Sequence, residues 1–127
     1  MGLDMYAYKV RKGQITEQVD FNLKVEDGDS HEQIHYWRKH PNLHGWMENL
    51  YHRKGGQEET FNCVNVQLTL EDLKALEKVV KREALPPTQG FFFGQSSPED
   101  KKDDLQFIME ARRAIDDGFD VYYTSWW

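Results

Sequence analysis

Two stretches of this chain carry residue types at spacings that chemistry uses. The first is His31-Glu32-Gln33-Ile34-His35. On a helix, two histidines four residues apart face the same way and can share a zinc ion, and the glutamate can activate the metal-bound water. Such a centre needs a third ligand. His40 follows His35, but Pro41 interrupts the helix, and Glu48 reaches the site only if the chain turns back. The plainer reading is a solvated, amphipathic turn bearing two histidines. The expectation is a protein with no resident cofactor, with zinc on His31, Glu32 and His35 as the alternative.

The second stretch is Tyr36-Trp37-Arg38-Lys39-His40-Pro41-Asn42-Leu43-His44-Gly45-Trp46. Arg38 and Lys39 can hold a phosphate or carboxylate, the arginine in bidentate fashion. Tyr36, Trp37 and Trp46 can stack on a base or ring. Asn42 adds a polar contact, and His44 is a candidate acid or base because histidine titrates near neutrality. The competing structural reading places Trp37 and Trp46 in the core and Arg38-Lys39 on a solvated face. Cys63 reads as inert core in an apolar strand. No phosphate loop, dinucleotide fingerprint or serine nucleophile elbow occurs in the sequence.

The elements that must position these residues follow from patterning. Leu3–Val10 reads as a strand, and a second covers Val19–Val25. Ser30 with Gln33 forms a capping box for a helix that ends near Lys39, ahead of Pro41. Pro41 opens another helix, with Leu43, Trp46, Met47 and Leu50 on one face and Gly55-Gly56 at its end. Phe61–Leu68 alternates as a strand. Thr69 and Asp72 start a helix with Leu70, Leu73, Leu76, Val79 and Val80 as its stripe, stopped by Pro86-Pro87. Gly90-Phe91-Phe92-Phe93-Gly94 is a strand or a ligand-facing loop. Ser97-Pro98-Glu99-Asp100 opens a last helix with Leu105, Ile108, Met109, Arg112 and Ile115 in register, closed by Gly118. Phe119–Trp127 is an aromatic strand. The order implies an α+β fold: a mostly antiparallel sheet, helices packed on one face, and the N- and C-terminal strands adjacent at its centre.

Residues 1–127 suit one compact domain. Hydrophobic residues make up 39%, charged residues 30% and aromatics 13%, a folded and soluble balance. The aromatics exceed what so small a core needs, so some are expected to line a cleft or a partner surface. The net charge of −6 argues against general nucleic-acid binding. One cysteine excludes an internal disulfide and fits a reducing compartment. No apolar run approaches the ~20 residues that span a bilayer. No secretory signal is visible, and Tyr6 breaks the myristoylation pattern at Gly2.

Five islands, Met1-Gly2-Leu3-Asp4-Met5-Tyr6, Tyr36-Trp37-Arg38-Lys39, His44-Gly45-Trp46, Gly90-Phe91-Phe92-Phe93-Gly94 and Tyr123-Thr124-Ser125-Trp126, run from the first residues to the last. The pattern resembles that of small bacteriophage and prophage proteins, in which the last island often reads Tyr-Ser-Ser-Trp. The resemblance implies a bacterial cytoplasmic setting and brings no catalytic residues. It leads to an expected cleft in which Asp4, Tyr6 and Trp126 meet the 36–46 segment, with Arg38 on an anion and Asp4 orienting His44. The expected role is a phage or prophage accessory protein that binds a host protein or a small anionic, nucleotide-like ligand. The alternatives are a small enzyme acting on a nucleotide or phosphate compound, and a zinc hydrolase. The aromatic C-terminus permits a homodimer.

Overall fold

The computed structural model describes residues 2–21, 31–88 and 96–127. Among them, the order is β1 (Asp4–Arg11), β2 (Glu32–Arg38), α1 (Pro41–Arg53), β3 (Val66–Leu68), α2 (Leu70–Lys81), α3 (Asp100–Asp116) and β4 (Phe119–Trp126). The strands form one antiparallel sheet in the order β2-β1-β4-β3. The first and last strands are thus the central pair, Asp4 opposite Trp126 and Arg11 opposite Phe119. The α+β expectation and the adjacency of the terminal strands both hold.

Side chains alternate across a strand, so each strand divides its residues between two faces. The inner face carries Met5, Ala7, Trp37, Val66, Leu68, Val121 and Tyr123. These pack with Leu43, Met47 and Tyr51 of α1, Leu73, Leu76 and Val80 of α2, and Phe107, Ile108 and Ala111 of α3. The outer face has a smaller cluster of Val10, Phe21 and Tyr122, with Tyr8 and Ile15 against it.

The helices form for local reasons. Thr69 accepts from the Asp72 amide and the Asp72 carboxylate accepts from the Thr69 amide, a reciprocal capping box that starts α2. Pro41 sits in the first turn of α1, where its missing N–H costs nothing. Gly45 lies mid-helix because Thr88 crosses there: an added Cβ would fall 1.9 Å from Thr88 Oγ1 and 2.9 Å from Thr88 Cβ. Gly118 turns α3 into β4 with φ +93°, a conformation that glycine adopts without penalty.

Several expectations are corrected. The segment expected to run as a helix up to Lys39 is strand β2, and Ser30, its expected cap, lies outside the described residues. Ile34, Tyr36 and Trp37 favour a pleated, half-buried surface, and pairing with β1 outweighs a local cap. Of the second expected strand, Val19 makes an isolated bridge to Val66; residues 22–25 lie outside the described residues, as do 90–94. The Phe61–Leu68 strand shrinks to Val66–Leu68. Cys63 is exposed, with φ 59°, in a turn ahead of that strand rather than in the core. Met109 faces solvent at 65% exposure. The buried stripe of α3 runs instead through Asp104, Phe107, Ile108, Ala111 and Ala114.

Candidate functional site

The register of the three central and edge strands sets the outer face in rows. Asp4 pairs with Arg38 on one side and Trp126 on the other. In the next row Tyr6 lies between Tyr36 and Thr124, and in the third Tyr8 lies between Gln33 and Tyr122. An aromatic ribbon results. Ring centroids are 5.3 Å apart for Tyr6 and Tyr36, 6.1 Å for Tyr6 and Tyr8, and 5.4 Å for Tyr8 and Tyr122. The Tyr36 hydroxyl donates to Asp4 Oδ1 at 2.5 Å, and Arg38 Nε stands 3.9 Å from the same oxygen. That hydrogen bond, with some help from burial, raises the Tyr36 pKa above the ordinary tyrosine value. The phenol therefore stays neutral and donating.

At the first row the ribbon opens into a notch. Gly2, Asp4, Trp126 and Trp127 enclose about 210 Å³. Trp126 is 65% exposed and Tyr36 43%, so both offer ring surface to solvent. Arg38 and Lys39 close the far side of Gly2: a Cβ there would come 3.3 Å from Lys39 Cε and 3.4 Å from Arg38 Nη2. Neighbouring strands lie about 4.8 Å apart, so Arg38 and Trp126, one strand apart on either side of Asp4, are separated by roughly 10 Å. That is the reach of a ring system with a charged substituent.

Five of the expected ligand residues (Asp4, Tyr6, Tyr36, Arg38 and Trp126) therefore meet on one face, with Lys39 beside them. Trp37, His44 and Trp46 do not join them, because they are buried on the helix side. Asn42 also lies on that side, its Oδ1 accepting from the Thr88 amide at 3.0 Å. The expected Asp4–His44 contact is replaced by Asp4–Tyr36 and by His44 Nδ1 on the Tyr123 hydroxyl at 2.7 Å. His44 is 1% exposed. Burial pulls its pKa down to about 4, against an opposing hydrogen bond to the Phe61 backbone. It is a neutral core histidine.

The zinc alternative assumed a helix. In β2 the pairing passes from Ala7–His35 to Tyr8–Gln33, so Ile34 is an extra residue and forms a β-bulge. The bulge breaks the alternation and sends the two histidines to opposite faces. His31 packs edge-on against Tyr8 outside, whereas His35 packs on Trp37 and Phe107 inside and bonds Asp103 at 3.1 Å. They cannot grip one ion. Among the described residues, no group of three or more His, Cys, Asp or Glu is arranged to hold a metal.

Sequence reasoning missed a second constellation on the helix side. His40 Nε2 lies 2.8 Å from Asp104 Oδ2, and Trp37 Nε1 donates to Asp104 Oδ1 at 3.0 Å. His40 Nδ1 lies 2.7 Å from Ser96 Oγ, which also accepts from the Asn42 amide at 3.0 Å. Asp104 is almost wholly buried, and desolvation raises its pKa against the lowering pull of His40. The one available signal was an aspartate at a helically spaced, core-facing position.

Comparison with family models, curated proteins and solved structures gives no match. Among the described residues, no helix is long and apolar enough to cross a membrane.

Proposed function

We propose that this chain is a phage or prophage accessory protein of the bacterial cytoplasm that binds a small anionic aromatic ligand of nucleotide type on its outer sheet face. The observation that carries the reading is the notch beneath the exposed Trp126 indole, with Arg38 on the same face. The ring stacks on Trp126, the charge meets Arg38 and Lys39, and Asp4 accepts from ring N–H donors. Base–aromatic stacking contributes about 1–3 kcal/mol per base, which matches the role given to Trp126. The protein's own net charge of −6 keeps the site from collecting long polyanions.

Titration with adenosine monophosphate, followed by tryptophan fluorescence and calorimetry, tests this. Saturable quenching is expected, abolished in Trp126→Ala and weakened roughly tenfold in Arg38→Ala, in line with the loss of one charge-assisted contact. A wild-type protein that ignores millimolar mononucleotide sinks the ligand reading. The same face would then be tested for capture of a host protein, with Trp126→Ala as the control.

A further inference from the structure

From the geometry around His40 we infer a second, independent activity: Ser96, His40 and Asp104 form an acyl-transfer site that hydrolyses small, uncharged carboxylic esters. The site stands on the helix side of the sheet, away from the face proposed to bind a ligand.

With Asp104 ionised, the partners set the proton positions. The indole N–H of Trp37 can only donate, so Asp104 Oδ1 accepts. Asp104 Oδ2 then takes the N–H of His40 Nε2 at 2.8 Å, which leaves Nδ1 with its lone pair. The Asn42 amide occupies one acceptor site of Ser96 Oγ, and the Ser96 hydroxyl proton is directed to His40 Nδ1 at 2.7 Å. This is a nucleophile on a base, and the base on an orienting carboxylate, the arrangement that activates serine in unrelated folds. The ring is turned so that Nδ1 rather than Nε2 meets the serine. Asp100 Oδ2, 3.4 Å from Nδ1, adds a second carboxylate to stabilise the imidazolium once it forms.

The cluster opens on a cavity of about 330 Å³ lined by His40, Ser96 and Asp104. Val80, Leu85 and Pro98 give it an apolar wall for a short acyl chain. Glu83 and Asp100 line it too and disfavour anionic substrates. The first turns of α1 and α3 border this cavity at Asn42 and Asp100, and their positive ends favour a developing oxyanion; Lys101 lines it too, its ammonium 3.5 Å from Glu83 Oε1.

In the reaction, Ser96 Oγ bonds to the ester carbonyl carbon and passes its proton to His40 Nδ1. The tetrahedral intermediate breaks its bond to the alkoxy oxygen, and His40 returns the proton to the departing alcohol. Water, deprotonated by His40, then attacks the acyl-Ser96 ester; the bond to Ser96 Oγ breaks, His40 returns the proton to Oγ, and a carboxylic acid leaves. Asp104 acts as a positioning residue. The rival reading gives Ser96 only a capping duty on α1 through the Asn42 amide, a duty that needs no proton transfer.

The full chain is treated with a fluorophosphonate probe, whose fluoride is displaced by an activated serine, and read by intact mass and peptide mapping. One adduct on Ser96 is expected, together with hydrolysis of 4-nitrophenyl butyrate that falls at least about a hundredfold in Ser96→Ala, which loses the nucleophile. Asp104→Asn should keep the adduct site but shift the pH profile of labelling, which a merely structural aspartate would not do. A wild-type protein that takes no adduct, or takes it elsewhere, overturns the proposal. So does butyrate hydrolysis that is unchanged in a folded Ser96→Ala. If Ser96→Ala fails to fold, the adduct map of the wild type still decides.

Discussion

At the residue scale, His44 shows how burial converts a functional side chain into a structural one. Its pKa falls from 6.5 to about 4 on folding, so between those values the unfolded chain binds a proton that the native chain refuses. Stability is therefore intact above about pH 6.5 and is lost as pH falls towards 4, by roughly 3 kcal/mol in all. Urea midpoints measured at pH 7 and pH 4 should move closer together in His44→Gln than in the wild type, although the variant is weaker at pH 7. Gly45→Ala should destabilise by about 1–3 kcal/mol, because its methyl group runs into Thr88; thermal melts check this, and Thr88→Ser does not relieve it, since Oγ1 and Cβ remain. Asp4, Tyr6 and Trp126 enter as site candidates through the island pattern together with their polar tips. Their separation from His44 was not legible, because which face a residue takes depends on a register that no local pattern states.

At the element scale, legibility followed the strength of local rules. Thr69 and Asp72 announce α2 through a cap any chain can make, and β4 announces itself through strict alternation of Val121, Tyr123 and Ser125 against Tyr122, Thr124 and Trp126. β2 misleads because His31–His35 has the spacing of a helix and the pairing of a strand, and only β1 decides between them. The α2 cap does double duty, since Asp72 also accepts from Lys54 at the end of α1 and so ties two helices together. Thr69→Ala should cost about 1 kcal/mol in a denaturant titration. Asp72→Ala should cost more, because it removes the Thr69 amide's partner and takes the carboxylate from the Lys54 ammonium, which keeps its bond to the Gln67 carbonyl. The Ile34 bulge also spoils the regularity of β2, an edge among the described strands that carries Glu32, Gln33 and Arg38 exposed, and edges of this kind resist pairing with a second chain.

At the scale of the whole molecule, the sheet is a wall with two unlike sides. One is packed by three helices around a core that includes Tyr51, Phe61 and Tyr123, and the other is paved with tyrosines, buried around Tyr122 and open at Tyr36 and Trp126. The layer architecture was legible from element order, whereas the division of labour between the faces became visible only with the register in hand. The two proposed sites should accordingly be separable: Trp126→Ala should leave fluorophosphonate labelling of Ser96 unchanged, and Ser96→Ala should leave mononucleotide quenching unchanged. The central pairing of β1 with β4 has a consequence for synthesis. Gly13 and Asp120, which bond across that seam, are 107 residues apart, so the middle of the sheet cannot close while β4 is still inside the ribosome. Until then β1 has only β2, and a two-stranded pair is marginal in water. Such a seam is a non-local, slow-closing topology, the kind that leaves apolar side chains exposed to aggregation until the last strand arrives.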